Sequence, residues 1–252
     1  MTLQLPKNDL EKEIRLALLI SGGGTTMEAI IKATKNGTLT NVNPVLVIAS
    51  KETAGGIEKA KALGISGENI IVLERKKFKD SVEFGEAIIS ECEKRNVNMI
   101  GQYGWMVLTP QNVIKRFEKR IVNQHPGPLD TGRPDFGGEG MYGLRVHEAR
   151  RLFVKNVNRD FFTEATCHYV TEEFDKGEVI KRNVMEFSLD DLATDIQQKL
   201  LPIEHQTQIE ALQDIASDRI EIFKREIPLV NEGEEEILKE CKQSAKLAYP
   251  NG

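Results

Sequence analysis

The sequence predicts an α/β protein with a doubly wound, mostly parallel sheet flanked by helices, and with a short helical extension at the C-terminus. Short apolar runs of strand length recur between residues 14 and 125, and helix-forming stretches fill the intervals between them. This alternation is typical of parallel βαβ units. Several of the runs end in loops rich in glycine or proline, so the carboxyl ends of the strands are where a ligand is expected to bind.

The elements follow from these patterns in order. Strands are predicted at residues 15–20, 43–49, 70–73 and 98–104 and from residue 121 onward. Helices are predicted between them, at residues 27–33, 54–63, 81–95 and 110–117. In the second half, the spacing predicts a helix over 142–153 and a strand over 165–170. A long helix is predicted from 189 to 222, beginning near Ser188 and interrupted at Pro202.

Composition excludes several classes of protein. The 252 residues are 40% hydrophobic and 29% charged, which is typical of a soluble globular protein. The net charge of -5 disfavours a nucleic-acid-binding protein, and the first residues contain no apolar segment long enough for a secretory signal or a membrane span. The three cysteines lie far apart without metal-ligand spacing. We therefore expect a cytoplasmic protein, monomeric or homodimeric, that binds neither metal, nucleic acid nor membrane.

A glycine loop follows the first predicted strand. Gly22, Gly23 and Gly24 precede Thr25 and Thr26, and a helix begins immediately behind them. Strand, glycine loop and helix together aim backbone N–H groups at a phosphate. The alternative is a glycine turn in a βα unit without a ligand.

The same loop could instead hold a dinucleotide. Gly22 and Gly24 match the first two glycines of the dinucleotide fingerprint, but Met27 stands where a third glycine is expected. Glu52 could bind a ribose, although it lies late for that role. The short loop fits a single phosphomonoester better.

Polar residues at the end of the fifth predicted strand form the strongest candidate for catalysis. Asn123 and His125 lie two residues apart, so they face the same side of a strand. Pro126 and Pro128 prevent a continuing helix. An amide donor beside an imidazole can stabilise the oxyanion that forms when an amine attacks a carbonyl. The alternative is a strand that ends in a proline turn with a half-exposed histidine.

Two later segments could complete such a site. Residues 130–141 form a long glycine-rich loop, and loops of this length inside compact domains are often functional. Asp175 lies in a tight turn closed by Gly177. An aspartate in a turn is usually there for the turn itself, but Asp175 could also face His125 and set the position of its proton.

With these pieces in order, the chain resembles the 10-formyltetrahydrofolate-dependent formyltransferase family. The matching segments are Leu19–Thr26, Gly104–Pro110, Asn123–Pro126 and Phe174–Gly177. The resemblance implies a formyltransferase domain at residues 14–225, preceded by a leader at 1–13 and followed by a charged tail at 226–252. It also implies transfer of a formyl group from 10-formyltetrahydrofolate, as co-substrate and without a metal, to the amine of 5-phosphoribosylglycinamide in purine biosynthesis.

The resemblance further implies roles for individual residues. Asn123 would bind the formyl oxygen, His125 would stabilise the oxyanion and relay a proton, and Asp175 would orient His125. The ribonucleotide would be held by Gly22, Gly23, Gly24, Thr25, Thr26 and Glu204. The folate would lie against Trp105, Met106, Val107, Leu108 and Asn123.

The chain departs from the family pattern in three places, one of which is the helix near Ser81, where an arginine that contacts the folate is missing. The folate loop lacks an arginine that usually follows Met106, and the usual linkage after the catalytic histidine is replaced by the glycine-rich segment up to Met141. Other amine acceptors, such as a nucleotide-linked amino sugar, therefore remain alternatives, as does a non-catalytic protein that binds phosphate or folate. A methionyl-tRNA formyltransferase is disfavoured because the tail is short and acidic, and a formyl-folate hydrolase because it usually carries an additional N-terminal domain.

Overall fold

The computed structural model describes residues 13–252. The predicted leader therefore lies outside the described residues, apart from Glu13. The described chain forms seven strands and seven α-helices. The strands are β1 (Ile14–Ile20), β2 (Val42–Ala49), β3 (Ile70–Val72), β4 (Met99–Gln102), β5 (Ile121–His125), β6 (Phe162–Tyr169) and β7 (Val179–Glu186). The helices are α1 (Thr25–Lys35), α2 (Gly56–Ala62), α3 (Ser81–Lys94), α4 (Gln111–Arg116), α5 (Leu144–Val157), α6 (Ala193–Ala216) and α7 (Glu235–Ala248).

The strands form one sheet in the order β3-β2-β1-β4-β5-β6-β7. Strand β1 pairs in parallel with β2 and β4, and β4 pairs in parallel with β5, whereas β6 and β7 are antiparallel. The five central residues of β1 from Leu16 to Ile20 are completely buried, as expected of a strand with neighbours on both edges and layers on both faces. The chain order reverses between β1 and β4, so the carboxyl ends of β1 and β4 flank a topological switch point. The predicted fold class is confirmed.

The described chain divides into two compact units. The first consists of residues up to 123 with 208–221, and the second of residues 124–207 with 222–252. The second unit contains an apolar core that joins α5, α7 and the glycine-rich loop. Phe136 and Met141 from the loop pack there with Phe153 of α5 and with Leu238 and Ala245 of α7. The C-terminal tail is therefore an integral part of this core.

One local prediction is wrong. The predicted interruption at Pro202 does not occur, because α6 continues through this residue. An interior proline removes one backbone hydrogen bond and costs about 3 kcal/mol. Ile196, Leu200 and Leu212 are completely buried on either side of the proline, and their burial offsets that cost.

Candidate active site

The glycine loop of the first unit links β1 to α1. Gly24 has φ of 63°, and a Cβ atom there would lie 2.9 Å from the Cα atom of Gly56. Glycine is therefore required at this position by both conformation and packing. Gly22 accepts a hydrogen bond from the Gly56 N–H (3.1 Å), which fixes the loop against α2. A Cβ atom at Gly22 or Gly23 would meet nothing within 4 Å, so the outer side of the loop is open to a ligand.

Ser21 connects this loop to the predicted folate loop. The Ser21 N–H donates to the Gly104 carbonyl (3.0 Å), and the Ser21 hydroxyl accepts from the Met106 N–H (2.9 Å). The Ser50 hydroxyl donates to the same Ser21 oxygen (2.7 Å). Sequence reasoning missed Ser21, although its place between a buried strand and the glycines is the signal that could have identified it.

The loop after β4 presents apolar side chains to solvent. The Trp105 ring is only 8% exposed and stacks on Phe84, with centroids 6.4 Å apart and planes inclined by 4°. Met106 and Leu108 are 58% and 52% exposed. Large apolar side chains on an otherwise anchored loop are a typical lining for a flat ligand. Trp105 thus supports the loop from beneath, while Met106 and Leu108 face outward.

Strand β5 carries both predicted residues of its polar pair. Asn123 lies opposite Gln102 of β4 and belongs to the first unit. His125 closes the strand, belongs to the second unit and is 2% exposed. A Cβ atom at Gly127 would lie 3.4 Å from His125 Nε2 and 2.3 Å from Val146 Cγ1. Any side chain at position 127 would therefore crowd this imidazole nitrogen.

Asp175 lies between two imidazoles in the second unit. Its Oδ2 atom is 3.5 Å from His125 Nδ1, and its Oδ1 atom is 3.4 Å from His168 Nε2. The aspartate adopts φ of 57°, a left-handed conformation that Asp tolerates better than most residues. The turn is fixed behind it by Gly177, where a Cβ atom would lie 1.6 Å from the Tyr169 carbonyl oxygen.

The two histidines differ in their hydrogen bonding. His168 Nδ1 lies 2.8 Å from the Tyr169 carbonyl, so it carries a proton. The other ring nitrogen of His168, Nε2, faces Asp175 Oδ1. A proton on His125 Nδ1 would point at Asp175 and leave Nε2 as an acceptor. Among the described residues, His125 Nε2 is buried without a hydrogen-bond partner.

Charge and burial shape the protonation of this cluster. Burial lowers the pKa of His125, and the Asp175 carboxylate opposes that effect. Burial alone would raise the pKa of Asp175. The two imidazoles and the N–H group of Gly138, which donates to Asp175 Oδ2 (3.0 Å), hold that pKa well below its usual range. Asp175 is therefore an anion and His125 a neutral base near pH 7.

Glu204 occupies a separate buried position in the second unit. Its side chain on α6 is 4% exposed and accepts a hydrogen bond from the Gln124 side-chain amide. Burial raises the pKa of Glu204 to about 7, and the Gln124 hydrogen bond partly opposes this shift. The other predicted ribonucleotide ligands, residues 22–26, belong to the first unit, whereas Glu204 belongs to the second.

Sequence reasoning gave no role to three further residues around His125. Thr166 donates its hydroxyl proton to the Gly127 carbonyl (2.8 Å) and so fixes the exit from β5. His168 is the second partner of Asp175, and Gly138 donates from the glycine-rich loop. Across residues 13–252, no group of three or more His, Cys, Asp or Glu side chains is placed to hold a metal ion.

The glycine loop, the apolar loop and the His–Asp pair occur on a fold of known type. A formyl transferase family profile matches residues 14–212, and this chain belongs to that family. The predicted family and enzyme class are confirmed.

Individual relatives carry more specific names than the family profile does. The chain is 29% identical to phosphoribosylglycinamide formyltransferase, chloroplastic, of Arabidopsis thaliana, over 86% of this chain and 70% of that protein. It is 30% identical to the protein of the same name in Vigna unguiculata, over 87% of this chain and 66% of that protein. The chain thus spans about two thirds of these plant relatives.

Solved structures agree with the fold. Phosphoribosylglycinamide formyltransferase from Brucella melitensis superposes with a TM-score of 0.69 at 29% identity, over 82% of this chain and 97% of that chain. Glycinamide ribonucleotide transformylase 1 from Symbiobacterium toebii has a TM-score of 0.71 at 23% identity, over 84% and 94% of the respective chains. The second comparison concerns the fold alone.

Proposed function

We propose that this chain transfers a formyl group from 10-formyltetrahydrofolate to the primary amine of 5-phosphoribosylglycinamide. The observation that carries the proposal is the His125–Asp175 pair, in which the carboxylate faces Nδ1 and leaves the buried Nε2 without a partner among the described residues. The names of the relatives supply the acceptor, phosphoribosylglycinamide, and the group transferred. The resemblance to the formyltransferase family supplies 10-formyltetrahydrofolate as the donor.

The proposed chemistry needs one proton relay. The amine nitrogen attacks the formyl carbon, and the carbonyl oxygen becomes an oxyanion to which Asn123 donates. His125 Nε2 accepts the proton that the amine loses, while Asp175 stabilises the resulting imidazolium. The carbon–N10 bond then breaks, and His125 returns the proton to N10 of the leaving folate. Donors preorganised at an oxyanion contribute roughly 3 to 4 kcal/mol each to lowering such a barrier.

The substrate contacts are also proposed. The open side of Gly22–Gly24, followed by the start of α1, fits a phosphate. We assign hydroxyl donors to Thr25, which is exposed, and to Thr26, which is 4% exposed. The exposed Met106 and Leu108, with Val107 between them and the buried Trp105 beneath, fit the flat folate ring. We assign Glu204 to the ribose hydroxyls.

We also propose that the protein acts in the cytoplasm. Cys92, Cys167 and Cys241 are all buried and free, which is compatible with a reducing compartment such as the cytoplasm. No helix between residues 13 and 252 is both long enough and apolar enough to cross a bilayer.

A transfer assay tests the proposal. Purified protein is incubated with 10-formyltetrahydrofolate and each of several amines, including phosphoribosylglycinamide and a nucleotide-linked amino sugar, and tetrahydrofolate release is followed. We expect release with phosphoribosylglycinamide at a kcat/KM at least about tenfold above that with the other amines. Release equal to the amine-free background with every acceptor would overturn the proposal.

The roles of His125 and Asp175 require variants. Asp175→Asn keeps the shape of the turn but removes the charge that holds the His125 proton, and we expect kcat to fall by roughly 10³ to 10⁴ with KM little changed. Asp190→Asn is a matched control, because Asp190 is exposed and distant in sequence from the cluster. Turnover of Asp175→Asn equal to that of the control would remove Asp175 from the mechanism.

A further inference from the structure

Lysine side chains from α7 hold the glycine-rich loop beside Asp175. Lys242 Nζ donates to the Gly137 carbonyl (2.7 Å), and Lys246 Nζ donates to the Glu139 carbonyl (2.9 Å). Arg145 donates to the Gly140 carbonyl (3.0 Å). Both lysines lie beyond residue 212, where the family match ends. Cationic donors thus hold three of four consecutive carbonyls in this loop.

The Lys242 contact differs from those of Lys246 and Arg145 because the N–H on the other side of its peptide group donates to Asp175. The carbonyl of Gly137 and the N–H of Gly138 belong to one peptide group, and this N–H donates to Asp175 Oδ2 (3.0 Å). The same Oδ2 atom faces His125 Nδ1 (3.5 Å). An unbroken series of polar contacts therefore runs from the ammonium, through one planar peptide, to the carboxylate and the imidazole.

Steric constraints keep this peptide against the aspartate. A Cβ atom at Gly137 would lie 2.6 Å from Asp175 Cβ and 2.7 Å from Leu129 Cδ2, so only glycine allows the approach. The Gly137 N–H donates to Asp135 Oδ1 (3.1 Å), and Asp135 is 1% exposed. Gly138 has φ of 104°, which glycine adopts without strain. The peptide is thus fixed on both sides.

We propose that Lys242 is a positioning residue for the reaction: its ammonium polarises the Gly137–Gly138 peptide, which strengthens the N–H donor that orients Asp175 toward His125. The inference rests on the proposed function in assigning Asp175 and His125 to catalysis. Hydrogen bonds in series polarise one another, by perhaps 10–30% per bond. Bonds to charged groups contribute about 1.5–3 kcal/mol each.

The surroundings of Lys242 support a role beyond solubility. Burial lowers the pKa of Lys242 to about 8, with Asp135 and Asp175 opposing the shift and Lys176 and Lys246 adding to it. A lysine on a helix surface normally keeps its charge in water, whereas this one is held in a site that penalises the charge.

The charged groups around the cluster come from several elements, and each contributes to any pH dependence. The groups that act on His125, Asp175 or Lys242 are His168 of β6, His147 of α5, Asp135 and Lys176 of the loops, and Lys246 of α7.

We call the transmission from Lys242 through the Gly137–Gly138 peptide to Asp175 the Lys242 relay. Nuclear magnetic resonance of the whole chain tests this relay without reference to activity. The Gly138 amide proton resonance should move as Lys242 loses its proton, with an apparent pKa of about 8. In Lys242→Met this step should vanish, and the pKa of His125 should rise because a nearby positive charge is lost. A Gly138 resonance in the unmodified chain that is flat from pH 7 to 9.5 would overturn the proposal, whether or not the variant folds.

Kinetics separate a relay from simple anchoring of the loop. We expect Lys242→Met to lower kcat about tenfold, which is about 1.4 kcal/mol, with both KM values within twofold. Lys242→Arg should restore most of kcat. Lys246→Met is the matched control, because Lys246 lies one turn further along α7 and binds the same loop through a different peptide. Equal losses in the two methionine variants, or no rescue by arginine, would reject the relay.

A failure of the proposed function is distinguishable from a failure of the relay. If the chain released no tetrahydrofolate with any amine while the Gly138 and His125 resonances behaved as expected, the relay would stand and the reaction would be reassigned. If transfer occurred but these resonances were insensitive to Lys242, the proposed function would stand and the relay would be rejected.

Discussion

Replacing Glu204 with glutamine should stabilise the protein above pH 7 and leave its stability nearly unchanged below pH 4.5. The Glu204 side chain is 4% exposed and has the Gln124 amide as its hydrogen-bond donor. Its pKa is raised from the ordinary 4.5 to about 7, chiefly by burial. Glutamine has the same shape, keeps an oxygen for Gln124 and never carries the buried charge.

The sign follows from proton binding. Between pH 4.5 and 7 the folded protein keeps a proton on Glu204 that the unfolded chain has released, so stability falls as pH rises through this window. A pKa raised from 4.5 to about 7 corresponds to about 3 kcal/mol lost by pH 8.5. The variant does not incur this loss.

Urea unfolding at pH 4.5, 6, 7 and 8.5 measures the effect. The difference in unfolding free energy between Glu204→Gln and the unmodified chain should grow up to pH 7 and then level off at roughly 2 to 3 kcal/mol, with equal m-values. Glu58→Gln is the control for the same chemical change at a site where no charge is buried, because the Glu58 side chain is 77% exposed. A difference for Glu204→Gln that stays constant from pH 4.5 to 8.5 would refute the reasoning.

Two other changes have defined outcomes. Gly177→Ala places a methyl group 1.6 Å from the Tyr169 carbonyl oxygen, so the backbone must move, and urea unfolding should show a loss of at least about 3 kcal/mol. Gly67→Ala is the control, because nothing lies within 4 Å of its added methyl group, and it should change the unfolding free energy by less than about 0.5 kcal/mol. Equal losses in the two variants would contradict the steric argument. Burial lowers the pKa of His147 to about 4, so the unfolded chain binds a proton there that the folded chain does not as pH falls from 6.5 to 4. His147→Gln should reduce the loss of stability across that window by about 1.4 kcal/mol per pH unit in urea titrations, and an unchanged slope would show that His147 is protonated in the folded state.

Local sequence patterns identified most of the first unit. The buried run from Leu16 to Ile20 could only be a central strand, and the glycines behind it predicted the strand-to-helix loop that the structure contains. Predicted ends were less accurate. The fourth strand was expected to reach Gly104, but β4 ends at Gln102, and the left-handed Gly104 (φ 73°) turns the chain away soon after. Periodicity locates the strand, whereas the backbone conformation of one residue decides where it ends.

Contacts between residues that are distant in sequence were harder to predict. The register of β6 against β7 shifts between Cys167 and His168. Such an irregularity redirects side chains locally and carries no clear sequence signal. The approach of His168 to Asp175 therefore depends on a bulge and on the turn before Gly177, neither of which can be placed from the sequence alone.

The glycine-rich loop and the C-terminal helix explain each other. A loop with glycines at 137, 138 and 140 can approach Asp175 closely, but it leaves carbonyl groups without strand or helix partners, and these carbonyls take side-chain donors instead. Helix α7 supplies these donors from Lys242 and Lys246 and packs its apolar face with Phe136 and Met141 of the same loop. The glycine-rich loop after His125 and the helix beyond residue 212, where the family match ends, therefore pack as one structural unit. Together the loop and α7 set the position of the Gly138 N–H group that binds Asp175.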